Sequence, residues 1–122
     1  MSETYIRWLL IITGVFTAAS VGVFLQPVKQ VAIIYGENLT GTAVTMLVRH
    51  WGLLITGTGV LIIFSAFNPP LRIPMMVLGV VEKIMLAGSI LATPLRKRPI
   101  PAAIAALDLL IALLYILYMI AG

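Results

Sequence analysis

The sequence predicts an all-α fold, an integral membrane four-helix bundle, on three observations. Hydrophobic residues make up 61% of the 122-residue chain and charged residues 10%, with a mean hydropathy of +1.14, whereas a soluble globular chain carries about 25% charged residues. The apolar residues gather into four runs long enough to span a bilayer, because ~20 residues at 1.5 Å rise cover roughly 30 Å of hydrocarbon. Between the runs stand strong stop signals, Asn68-Pro69-Pro70 and the proline-flanked turn from Pro94 to Pro101, where proline cannot continue a helix. Residues 1–122 therefore read as one four-span domain, with spans at about 6–25, 42–67, 72–93 and 102–121.

Taken in order, the chain opens with a short polar start and then the first span. Arg7 followed by apolar residues is like a secretory leader, but the run continues past Thr17-Ala18-Ala19 to Leu25 behind a single cation. A retained helix is expected. Gly14, Ala18 and Gly22 recur every fourth residue, a strip of small side chains that lets another helix approach closely. Residues 28–35 are apolar but too few to cross, which predicts an interfacial or re-entrant turn of helix. Asn38 or Thr40 is placed to cap the next helix by accepting from its free N–H groups.

The second span carries Arg49, His50 and Trp51 near its start, where arginine snorkels and a tryptophan ring joins the aromatic belt. Gly52, Thr56, Gly57, Thr58 and Gly59 then make its middle small and lightly polar. The third span is the one around which the rest is organised, because Glu82 and Lys83 stand at its midpoint. The fourth carries Asp108 about two turns in and Tyr115 farther along.

A charge at mid-membrane costs about 3 kcal/mol on insertion scales, so partners, water or a proton must be supplied there. Helical rise places Asp108 within reach of the long Lys83 stem, and a Lys83–Asp108 pair between adjacent antiparallel helices is expected. Asp108 shares a face with Ala105, Ala112 and Tyr115, which suits the bundle interior. Glu82 points about 100° away from Lys83, level by residue count with Thr58 and near Thr17, whose hydroxyls can donate to it. A carboxyl group there without a cation is held more easily as the neutral acid, making Glu82 a proton-binding group. His50 is a further relay candidate. The expected ligand-binding set is thus Glu82, Lys83, Asp108, Thr17, Thr58, Tyr115, His50 and Trp51, with Glu82 and Asp108 the candidate acids or bases. The structural alternative is an ion pair that only locks helices together.

Orientation follows from the cations. The first and third loops share one side and carry Lys29, Arg49, Arg96, Lys97 and Arg98, against Arg7 and Arg72 on the other. This predicts those loops in the cytoplasm and both termini outside it. The net charge of +4 is scattered between spans, so it suits anionic lipid rather than nucleic acid. The absence of cysteine and the single histidine exclude disulfides, thiol chemistry and a His-rich metal site. No metal or cofactor is expected.

Arg49-His-Trp-Gly-Leu-Leu-Ile-Thr-Gly-Thr-Gly-Val-Leu61 followed by Asn68-Pro-Pro-Leu-Arg-Ile-Pro74 resembles the second and third helices of small DoxX-like bacterial membrane proteins. The resemblance covers about a third of the chain and implies a four-helix fold in a bacterial or archaeal inner membrane. It implies no particular activity, and Glu82, Lys83 and Asp108 are not part of it. Three functions fit: binding or moving a proton, ion or amphipathic small molecule through the polar core; acid–base catalysis on an isoprenoid, sterol or other lipid; and an accessory or assembly role with structural charges. Membrane lipid is the expected surroundings, and four helices can hold a small ligand, particularly as a homodimer.

Overall fold

The computed structural model describes residues 3–121; Met1, Ser2 and Gly122 of the expected 1–122 domain lie outside the described residues. The fold is all-α. Its elements are α1 (Glu3–Ala18), α2 (Val21–Leu25), α3 (Pro27–Tyr35), α4 (Thr42–Ser65), α5 (Arg72–Leu91) and α6 (Pro99–Ala121), with single 3-10 turns at Pro69–Leu71 and Pro94–Lys97. Glu3–Leu25, Thr42–Ser65, Pro69–Leu91 and Pro99–Ala121 are each long and apolar enough to cross a membrane.

The first span is not the straight helix expected. It breaks at Ala19–Ser20, where the Ser20 N–H donates to Thr17 at 3.3 Å and Val23 to Ser20 at 2.9 Å, the i→i+3 spacing of a tightened turn. The break lets the backbone on either side meet a different glycine of α4. A Cβ on Gly59 would lie 2.6 Å from the Gly14 carbonyl oxygen, and one on Gly52 would lie 2.8 Å from the Phe24 nitrogen. The strip of small residues on α1 therefore does pack at Gly14 and Ala18, but Gly22 faces Gln30 of α3 instead of another span.

α1 and α2 pack chiefly on α4, α5 packs chiefly on α6, and α4 joins the two pairs through α5. Ile6, Leu10, Ile62, Met76, Ile111 and Tyr115 fill one end of the interior, and Ala87, Ile90 and Ala105 with Tyr35 fill the other. Glu82, Lys83 and Asp108 fall between these two clusters along α5 and α6. At the first end Arg72 is 4% exposed and all three of its guanidinium nitrogens donate hydrogen bonds. It donates to both Glu3 oxygens at 2.7 Å, to the Ser65 carbonyl at 3.2 Å and to the Ala66 carbonyl at 2.7 Å. The start of α1 is thus tied to the α4–α5 turn by a bidentate pair, a geometry that arginine's planar fork matches.

α3 lies at the opposite end. Pro27 opens it at a position where the missing N–H is no loss, and Gly36 ends it at φ +67° with its N–H on Ala32, a left-handed cap that glycine adopts without strain. Gly36 also leaves room for Arg98, whose Nη1 would lie 2.8 Å from any Cβ there. Arg98 donates to the Tyr35 carbonyl and stands 3.5 Å from Glu37, so the end of α3 is pinned to the α5–α6 turn. Neither Asn38 nor Thr40 caps α4. Gly41 does so at φ +91°, without a side-chain bond, and Thr45 returns its hydroxyl to the Gly41 carbonyl at 2.8 Å.

Candidate functional site

The site begins with Lys83, which is 1% exposed, as is Asp108. α6 starts at Pro99, three residues earlier than expected from the sequence, because prolines are tolerated in a first helical turn. Asp108 is then nine residues into α6 and Lys83 eight from the end of α5, or about 12–14 Å from the same face. The two meet at 3.3 Å from Nζ to Oδ1, as the rise predicts. The Lys83 ammonium also sits 5.2 Å from the centre of the Phe16 ring, where the ring face attracts a cation.

Glu82 corrects the sequence reading. Its backbone direction differs from that of Lys83, yet the lysine stem curls back so that Nζ lies 3.8 Å from Glu82 Oε2. One ammonium therefore serves two carboxylates. It cannot satisfy both: Glu82 Oε2 and Asp108 Oδ2 are buried and have no hydrogen-bond partner in the protein. Unpaired buried acceptors of this kind are uncommon and costly.

These groups line a cavity of about 160 Å³. Phe16, Thr17, Ala19, Ser20 and Val23 come from either side of the α1–α2 break, and Gln30, Ile34 and Tyr35 from α3. Trp51 and Ile55 of α4, Leu86 of α5 and Ile104 of α6 complete it. A space of this size matches one that accepts a benzene ring or about five waters. Burial pushes the Tyr35 phenol above its usual range, with Asp108 and Glu82 adding to the effect.

Of the residues expected at the site, the structure gathers Glu82, Lys83, Asp108, Thr17 and Trp51 around this cavity. Thr17 has already given its hydroxyl proton to the Thr13 carbonyl at 2.9 Å. Thr58 does not line the cavity and its hydroxyl bonds to the Leu54 carbonyl at 2.9 Å; the Gly79–Ile62 contact keeps this part of α4 level with Glu82, but Thr58 lies on another face of the helix than the buried Ile55 and Gly59. His50 is exposed on α4 and outside the cavity. Tyr115 is fully buried one layer away, its hydroxyl bonded to Thr13 and its ring against Gly79. Sequence reasoning missed Phe16, Ser20, Gln30 and Tyr35. Only the α3 residues left a trace, as a segment too short to span yet too apolar for a plain loop.

The fold and site define an all-α integral membrane protein with a charged, partly unsatisfied cavity inside its bundle. No protein-family model, no curated protein and no solved structure matches the chain.

Proposed function

We propose that this protein binds a small amphipathic molecule in the cavity under α3, in exchange with protons at Glu82 and Asp108. One observation carries the reading: two of the residues that line the cavity of about 160 Å³, Glu82 and Asp108, each hold a buried carboxylate oxygen without a donor. A purely structural ion pair would be expected to close on itself, since a buried charge left half-satisfied lowers stability. A ligand head that donates hydrogen bonds, or a proton on either acid, supplies what the chain does not. The Arg98 contacts at the end of α3 hold a cover over the polar groups, and Trp51, Phe16 and Tyr35 offer rings to an apolar body.

The proposal includes the orientation drawn from the cations, with α3 and the α5–α6 turn at the cytoplasmic face of a bacterial or archaeal inner membrane. It also includes kinship with DoxX-like proteins, which bears on the fold alone.

The test is extraction of the protein in native lipid, followed by mass spectrometry of whatever small molecule it retains. Wild type should retain one near stoichiometrically, Ser20→Phe should exclude it by filling the cavity, and Glu82→Gln should weaken it. Equal retention by all three, or none in wild type together with no proton uptake on Glu82 or Asp108, overturns the proposal.

A further inference from the structure

A second space adjoins the cavity at Glu82. A groove of about 370 Å³ runs between α4 and α5, lined by Trp51, Glu82, Met85, Leu86 and Ser89. Three of these residues, Trp51, Glu82 and Leu86, also line the interior cavity. Only α4 and α5 contribute to the groove, so it opens on the lipid-facing surface. Met85 is 66% exposed there, and Ser89 is exposed with its hydroxyl tied to the Met85 carbonyl at 2.7 Å. The Glu82 side chain is 12% exposed, against 2% for Lys83 and Asp108. Glu82 is therefore the group that an incoming molecule meets between hydrocarbon and interior.

The charges say what that molecule is. Glu82 and Asp108 formally carry two negative charges against the single positive charge of Lys83, and each leaves one oxygen without a donor. One further cation balances the charge, and its N–H bonds are the donors that the two carboxylates lack. The Trp51 ring beside Glu82 adds a face that attracts a cation. The groove walls of Trp51, Met85 and Leu86 suit an apolar chain, and a methionine adapts to varied shapes.

We infer that the groove between α4 and α5 is a lateral entrance from the bilayer, and that the ligand is a lipophilic primary or secondary amine in its ammonium form. Its N–H groups lie on Glu82 and Asp108, and its apolar body lies along the groove. The inference rests on the cavity being a ligand site.

The full-length protein is tested in phosphatidylcholine nanodiscs, with Trp8→Phe leaving Trp51 as the fluorescent reporter and empty discs correcting for partitioning. The probes are dodecylammonium, dodecyltrimethylammonium, dodecanol and butylammonium. Dodecylammonium should give a saturable change, with the trimethyl compound and the alcohol at least tenfold weaker. Glu82→Gln should weaken dodecylammonium at least tenfold. Ser89→Phe, which fills the groove from a lipid-facing position and should melt as wild type does, should weaken dodecylammonium tenfold and leave butylammonium unchanged. Equal binding of the trimethyl compound, or a Glu82-dependent response to dodecanol alone, overturns the amine class while the cavity reading stands. Undiminished dodecylammonium binding in Ser89→Phe overturns the lateral entrance. No saturable response to any probe overturns the inference, and the retained-molecule measurement then decides the cavity reading separately. The comparison among probes on the wild-type cavity needs no variant at the site to fold.

Discussion

The Lys83 ammonium lies 3.3 Å from Asp108 Oδ1 in a position where both side chains are 2% exposed, and it lies 3.8 Å from Glu82 as well. Removing the cation strands two acids, not one. Lys83→Met should cost about 3–5 kcal/mol, the usual loss when one partner of a buried pair is deleted. Adding Asp108→Leu should restore only part of this, because Glu82 is still alone, and adding Glu82→Gln should restore most of the rest. Thermal melting of the three proteins in one detergent checks the order. Additive losses in the double variant would show that Lys83 and Asp108 are not coupled.

Arg72 closes the other end of the bundle and should be less replaceable than the partner it holds. Arg72→Met leaves the Ser65 and Ala66 carbonyls without the donors that reach them at 3.2 and 2.7 Å, a penalty of about 1–3 kcal/mol for each buried acceptor. Glu3→Gln, at an exposed position, keeps those two bonds and should lower the melting temperature much less. Arg72→Lys should fall near Arg72→Met, since an ammonium cannot reproduce the fork. A melt in which Glu3→Gln is the worse variant would place the weight on the ion pair instead of the turn.

The four spans, the Lys83–Asp108 meeting and the interior face of Asp108 were legible because each follows from hydropathy or a helical count. What the count could not reach was any feature set by another segment. Rise from the turn brings Thr58 level with Glu82, but level alone does not fix the face, and Thr58 turns aside from the cavity that Trp51 and Ile55 line. Glu82 was read as lacking a cation because consecutive Cβ vectors diverge, and a four-carbon stem undoes that. The break at Ala19–Ser20 has no proline or glycine of its own and is flanked by the close backbone contacts that Gly52 and Gly59 permit, which a reading of the first span alone does not reveal. Gln30 and Tyr35 became site residues only once Arg98 had pinned α3 across the bundle end.

Orientation is checked most directly in intact cells, since no native cysteine competes for label. An impermeant maleimide should label Asn68→Cys, on the α4–α5 turn, before lysis. Asn38→Cys, on the loop that follows α3, should label only afterwards if the proposed orientation holds, in which Lys29, Arg96, Lys97 and Arg98 face the cytoplasm. The reverse pattern would invert the orientation and leave the helix packing untouched.

Two glycines two residues apart on α4 should respond oppositely to the same added methyl group. A Cβ at Gly59 would lie 2.6 Å from the Gly14 carbonyl oxygen and 2.8 Å from the Ala18 Cα, both backbone atoms that cannot swing aside. Gly59→Ala should therefore separate α1 from α4 and cost about 1–3 kcal/mol, the usual price of overpacking. Gly57 has nothing within 4 Å of the corresponding position, so alanine there meets open space and gains helix propensity of up to about 1 kcal/mol. Gly57→Ala should melt at or above the wild-type temperature. The comparison also bears on the expected homodimer, because a second copy packed over α4 at Gly57 would make that substitution harmful too. Measured in dilute detergent and again in lipid, a loss for Gly57→Ala in lipid alone would locate a partner on that face. Unchanged stability in both leaves Gly57 facing lipid, with the tight contact of α4 confined to its Gly52 and Gly59 side.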